Sequence, residues 1–173
     1  MKPVFDRDKF KAAIHYLCHH ADRDFGRIKR HKALYFADMV HFIGVARPLT
    51  GVEYVKQQFG PTARHLKWAL DELTRENKLS IVPEDYFGLG KDSFHSSKEP
   101  ATNLLSEKEQ RLLDETLRFI ANFSATAISE LSHNEAWHAL PIGDVIPYET
   151  AYWLTEVTDD DMAWAETQMR KSA

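Results

Sequence analysis

Cysteine is all but missing from this chain. Cys18 is the only one in 173 residues, so no internal disulfide can form and nothing calls for an oxidising compartment. Long apolar runs are missing too, and no stretch approaches the ~18 consecutive apolar residues of a membrane helix. The opening "MKPVFDRDKFKAAIHYL" carries charges among its first residues and no apolar segment of signal-peptide length, so a soluble, cytoplasmic protein is expected. Charge of one sign is scarce: the formal net charge is -4, far from the basic excess of a dedicated nucleic-acid binder. The glycine spacings make neither a P-loop nor a dinucleotide fingerprint, so no cofactor is expected. Internal repeats and low-complexity tracts are absent.

What is present is an ordinary globular composition, 43% hydrophobic and 28% charged, at a length that suits one core and hence a single domain over 1–173. Asp6 reads as the N-cap of a helix whose stripe is Phe10, Ile14, Leu17 and Cys18. A second helix is predicted from about Arg27 to Ile43, closed by Gly44. "VEYVKQQF" reads as one short strand between the turn signals Pro48–Gly51 and Gly60-Pro61. Thr62 is placed as the cap of a third helix. Residues 78–97 read as two strands around a turn near Gly88, the first an edge strand or cut short at Pro83. Ser106 with Glu109 makes a capping box for a fourth helix, and Ser124 caps a short fifth that ends near His133. Glu135 opens a further short helix, "YETAYWL" another, and Thr158 with Asp161 the last. The fold class is therefore α+β, predominantly helical, with six or seven helices packed around a small antiparallel sheet.

Candidates for chemistry are few. His133-Asn134-Glu135 is formally an H-x-E, but a zinc deaminase also needs a downstream P-C-x-x-C that a lone upstream cysteine cannot supply. His133 and His138 lack the i, i+4 spacing of H-E-x-x-H. The simpler reading makes this stretch a joint: His133 at a helix end donating to free carbonyls, with the Trp137 ring buried between helices. His15, Cys18, His19 and Asp22 share one helix face with spacing that can bind zinc, although Cys18 is also claimed by the apolar stripe. Cys18 as a nucleophile lacks a Gly-rich oxyanion loop. Arg27, Arg30 and Lys32 in "RIKRHK" are candidate phosphate contacts, diluted by Asp22, Asp24 and Asp38. A DNA-binding, autoregulatory module and a metal-dependent hydrolase built on His15, His19, His133 or His138 are the rival classes.

Three blocks taken together carry a resemblance. Lys32 to Asp38 ("KALYFAD"), Arg47 to Gly51 ("RPLTG"), Tyr54 and Gly60-Pro61 form the first. Leu105, Ser106, Glu109, Leu113 and Asp114 form the second, and Leu131 to Trp137 ("LSHNEAW") the third. In this order they resemble the Panacea antitoxin domain, the SocA-like or phage-associated GepA-like family. Thr62-Ala63 and Lys56 depart from its usual pattern. The resemblance implies a non-enzymatic antitoxin that neutralises the toxin of a neighbouring gene by direct binding. In some relatives it implies a proteolytic adaptor that delivers the toxin to an ATP-dependent protease. The partner-binding positions it suggests are Tyr35, Asp38, Arg47, Tyr54, Phe59, His133, Glu135 and Trp137, with Trp68 a further candidate anchor. The Arg47-Pro48 turn and the Tyr54 strand are expected to present a sheet edge for a partner strand.

Overall fold

A computed structural model describes residues 3–86 and 88–154, with the side chains of Tyr86 and Leu89 left aside. The expected helix at Thr158 and Asp161 lies outside the described residues. The elements run α1 (Arg7–His20), α2 (Arg27–Val45), β1 (Tyr54–Gln57), β2 (Gly60–Ala63), α3 (Leu66–Arg75), β3 (Leu79–Tyr86), β4 (Leu89–Ser96), α4 (Glu107–Ala121), α5 (Ala125–Leu131), α6 (Glu135–Ala139), β5 (Val145–Ile146) and a 3₁₀ helix, Tyr148–Trp153. The fold is α+β and helix-dominated, as expected, but its strands make two small sheets. One is three-stranded in the order β2-β1-β5, the other is the β3-β4 hairpin, and both are antiparallel.

α2 is the organising element. Lys32 through Met39 are all buried, the signature of a helix packed on every side. α1, α4, α5, β2 and the 3₁₀ helix all pack against it. α1 begins where expected, with the Asp6 side chain accepting from the Lys9 N–H at 3.0 Å, and buries Phe10, Ile14, Leu17 and Cys18. The capping box of α4 is also present: Ser106 Oγ accepts from Glu109 N, and Glu109 Oε2 accepts from Ser106 N at 2.8 Å.

Three local expectations are corrected. α2 does not stop at Gly44. It continues to Val45 and closes at Ala46, which takes the left-handed conformation (φ 56°). The imidazole of His41 bonds the carbonyl of Arg47 at 2.7 Å and fastens that exit. "VEYVKQQF" is not one strand, because the chain turns after Gln57 and returns as β2, with Gly60 at φ 104° supplying a backbone that other residues rarely adopt. Thr62 therefore lies inside β2 and caps nothing. α3 starts after His65, itself at φ 65° and stacked on Phe5 at 5.1 Å. Pro83 does not end β3, which runs past it opposite Asp92. A two-stranded sheet has a free edge on each side, and proline is tolerated there. No helix among the described residues is long and apolar enough to cross a membrane.

Candidate functional site

The residues of the first motif block divide into an interior group and a surface group, and the interior group comes first in the physics. Asp38 is fully buried on α2. Its carboxylate accepts from Thr50 N, Thr50 Oγ1 and Tyr54 Oη, each at 2.7 Å. Burial pushes the Asp38 carboxyl up, while the Thr50 and Tyr54 donors pull it back. Tyr54 packs edge-on to Tyr35 at 5.1 Å and to Tyr148 at 6.0 Å. The Tyr148 hydroxyl donates to the carbonyl of Val52 at 2.6 Å. Gly51 completes the motif: at φ 71°, an added Cβ would lie 2.1 Å from the carbonyl oxygen of Val4. Tyr35 and Tyr54, 0% and 1% exposed, are thus parts of the core that fasten the α2–β1 connection. As free aromatic anchors they are corrected by their burial. The Tyr54 strand is likewise no sheet edge, since β1 lies between β2 and β5.

The surface group gathers where the β1–β2 hairpin meets the α5–α6 joint. Asn134 Oδ1 accepts from Trp137 N at 2.9 Å and starts α6, which leaves Glu135 exposed in its first turn. The Trp137 ring lies flat on the ring of His133, 3.7 Å between centroids and 8° between planes. Lys56 Nζ stands 4.0 Å from a Trp137 ring centroid. The indole is thus contacted by both an imidazole and an ammonium. Lys56 Nζ also donates to the carbonyl of Leu140 at 2.8 Å. His133 does not bond the carbonyls of the helix end as expected. Its ring is turned into the stack, and its Nε2 is buried without a hydrogen-bond partner, as is Trp137 Nε1. Desolvation, then the charge of Lys32, holds the His133 imidazole below its usual range.

Beneath this joint lies a residue that the basic cluster had concealed. Lys32 is 2% exposed, and its ammonium donates to the carbonyl of Pro61 at 3.3 Å. Burial brings it down to about 7. Gly60 lets the hairpin settle over it: an added Cβ would come within 2.4 Å of Lys32 Nζ, 2.7 Å of Ser132 Oγ and 3.0 Å of His133 Nε2. The first and third motif blocks therefore meet at Gly60, nearly end to end in sequence but in contact in space. Ser129 Oγ donates to the carbonyl of Phe59 at 3.3 Å, and the Phe59 side chain projects beside this joint, 63% exposed. A cleft of about 180 Å³ opens between Lys32, His31 and Ile28 on α2 and Gln57, Phe59 and Thr62 on the hairpin.

The remaining candidates are not brought together. Arg47 is exposed in the turn after α2. Trp68 is half-buried, its Nε1–H donating to Glu72 at 3.1 Å and its ring covered by Arg7 at 4.1 Å. The basic cluster is no phosphate stripe. Arg27 Nε pairs with Asp92 at 2.7 Å, Arg30 lies buried over the Phe94 ring at 4.4 Å, and Lys32 is interior. Packing of α2 turns two of the three cations, Arg30 and Lys32, inward, where alternation in sequence cannot show it. On α1, His15 Nε2 bonds Ser96 Oγ and the carbonyl of Lys98, and His19 Nδ1 bonds Ser96 Oγ. Cys18 instead faces the core, its thiol pushed up to about 11 by burial. Among the described residues no group of three His, Cys, Asp or Glu is placed to hold a metal ion.

The class defined by this architecture is a helix-dominated α+β domain built round one buried helix, its polar motif residues spent mainly on internal fastening. The family model described as "Antitoxin SocA-like, Panacea domain" matches residues 31–138, more than half of the chain and the span that holds both motif groups. The chain belongs to that SocA-like Panacea antitoxin family. No curated protein and no solved structure matched.

Proposed function

We propose that the protein is an antitoxin that neutralises a cognate toxin, encoded nearby, by direct protein–protein binding in the cytoplasm. Family membership over residues 31–138 carries this reading. The surface that suits it is the one around Phe59 and the His133–Trp137–Lys56 stack. An exposed Phe59 on a hairpin bonded to α5 through Ser129, on the side of the fold that also holds the His133–Trp137 stack, has the make-up of an interface anchor. Arg47 and Glu135, both exposed, remain proposed contacts. Tyr35, Asp38 and Tyr54 contribute to binding by holding the hairpin in place.

The test is growth of cells expressing the neighbouring open reading frame with and without this chain, followed by recovery of one protein on the other. Toxicity relieved by co-expression, with the two co-purifying, is the expected result. A harmless neighbour, or toxicity left untouched, would refute the reading. The finer proposal, that the chain hands its toxin to an ATP-dependent protease, predicts that the toxin's half-life shortens when this chain is present. It also predicts that the half-life is restored when that protease is removed. An unchanged half-life leaves sequestration as the mode of action.

A further inference from the structure

The cleft of about 180 Å³ between α2 and the β1–β2 hairpin is lined by three basic side chains, Arg27, His31 and Lys32. Ile28 and Phe59 supply its apolar lining, and no carboxylate among the described residues lines it. Its basic groups are short of acceptors. The Lys32 ammonium has three N–H donors, yet its one partner among the described residues is the Pro61 carbonyl at 3.3 Å. His31 has its Nε2 buried with no hydrogen-bond partner. Burial, then the charges of Arg27 and Lys32, brings this imidazole down to about 4, so positive potential converges on the cleft. Arg27 is already paired with Asp92, which does not line the cleft. A mainly apolar pocket with a few basic groups suits a ligand that has a hydrocarbon stem and an anionic head. A bare hydrated anion would lose water against Ile28 and Phe59 without gaining contacts there.

We propose that this cleft receives a glutamate side chain of the bound toxin, its methylenes against Ile28 and Phe59 and its carboxylate turned toward Lys32 and His31. The partner's identity rests on the antitoxin reading, and its chemistry rests on the cleft. The carboxylate supplies the acceptor that the buried ammonium lacks, in a charge-assisted bond stronger than the carbonyl contact it joins. Titrating N-acetylglutamate N-methylamide into the isotope-labelled full chain tests the cleft without the toxin. Saturable shifts are expected at the amides of Ile28, His31, Lys32, Gln57 and Thr62. They should be lost with the uncharged glutamine counterpart, with inorganic phosphate at the same ionic strength, and in Lys32→Met. Shifts that glutamine or phosphate reproduces overturn the proposal, as do shifts that survive Lys32→Met or an absence of saturable binding. Toxicity relieved in cells without these shifts sinks the cleft alone and leaves the antitoxin reading standing. With purified toxin, Lys32→Met should weaken binding by roughly tenfold or more. Unaltered affinity would show that the toxin does not fill the cleft.

Discussion

Lys32 and Asp38 sit on the same buried helix and show how differently two interior charges are accommodated. Asp38 has three partners at 2.7 Å, the Thr50 N–H and the hydroxyls of Thr50 and Tyr54, so its buried carboxylate is well supplied with donors. Asp38→Ala would leave the buried Thr50 N–H and two hydroxyls without their acceptor. We expect it to lower unfolding free energy by about 2–4 kcal/mol in urea titrations, and an unchanged midpoint would contradict the network. Lys32 has a single carbonyl partner, and burial depresses it to about 7. The unfolded ammonium titrates near 10.5. Between these values the unfolded chain holds a proton that the folded chain has released, so stability rises with pH across that window. It is lost again as pH falls through about 7. Lys32→Met should flatten this dependence. Unfolding at pH 7 and pH 9.5 should differ between the wild type and the variant by roughly 2–4 kcal/mol, and parallel profiles would show that Lys32 is charged in the fold.

Among the elements, the β1–β2 hairpin takes its position from contacts distant in sequence. It is pinned below by Lys32 to Pro61, behind by Ser129 to Phe59, and at its side by β5. Gly60 is the hinge of this arrangement, both for its φ of 104° and for the polar atoms that an added Cβ would strike. Gly60→Ala should cost about 2–4 kcal/mol, more than the usual glycine-to-alanine change, since strain and collision add. The hairpin amides should exchange faster with solvent than those of α2, a local loss that hydrogen exchange resolves. Uniform exchange across the molecule would mean that the hairpin is not a separate unit. α4 behaves oppositely, because its start is specified by the Ser106–Glu109 box and needs no distant partner.

For the whole molecule, the hairpin tip and the His133–Trp137 stack stand apart from an apolar groove between α2 and α4 lined by Phe36, Val40, Ile43 and Phe119. Phe59→Ser should leave stability within about 0.5 kcal/mol, as expected for an exposed side chain. It should nevertheless weaken toxin binding by roughly tenfold or more, measured by calorimetry with the purified toxin. Unaltered affinity with intact folding would move the contact to another face, and Arg47→Ala, at the far end of the α2–β1 connection, is the natural next variant. Family membership assigns an antitoxin domain to 31–138. It leaves the choice among surfaces to measurements of this kind.

Read as a sequence, the chain already specified its helix-dominated α+β class, the starts of α1 and α4, the β3–β4 hairpin and the family blocks. Those features rest on local periodicity and on caps made within one turn, which short-range chemistry decides. The fates of Lys32, Arg30, Tyr35 and Tyr54 were not readable in this way. A lysine in "RIKRHK" looks solvated, and a tyrosine in a strand looks available, until a helix is covered on every side. Burial depends on which elements pack together, and that follows from contacts between residues far apart in the chain. The meeting of Lys32, Gly60 and His133 is of the same kind. The sequence supplied all three, with Gly60 readable there only as a turn signal beside Pro61. Only the folded chain, by laying the hairpin over a buried ammonium and against the α5–α6 joint, made the missing side chain of Gly60 a requirement.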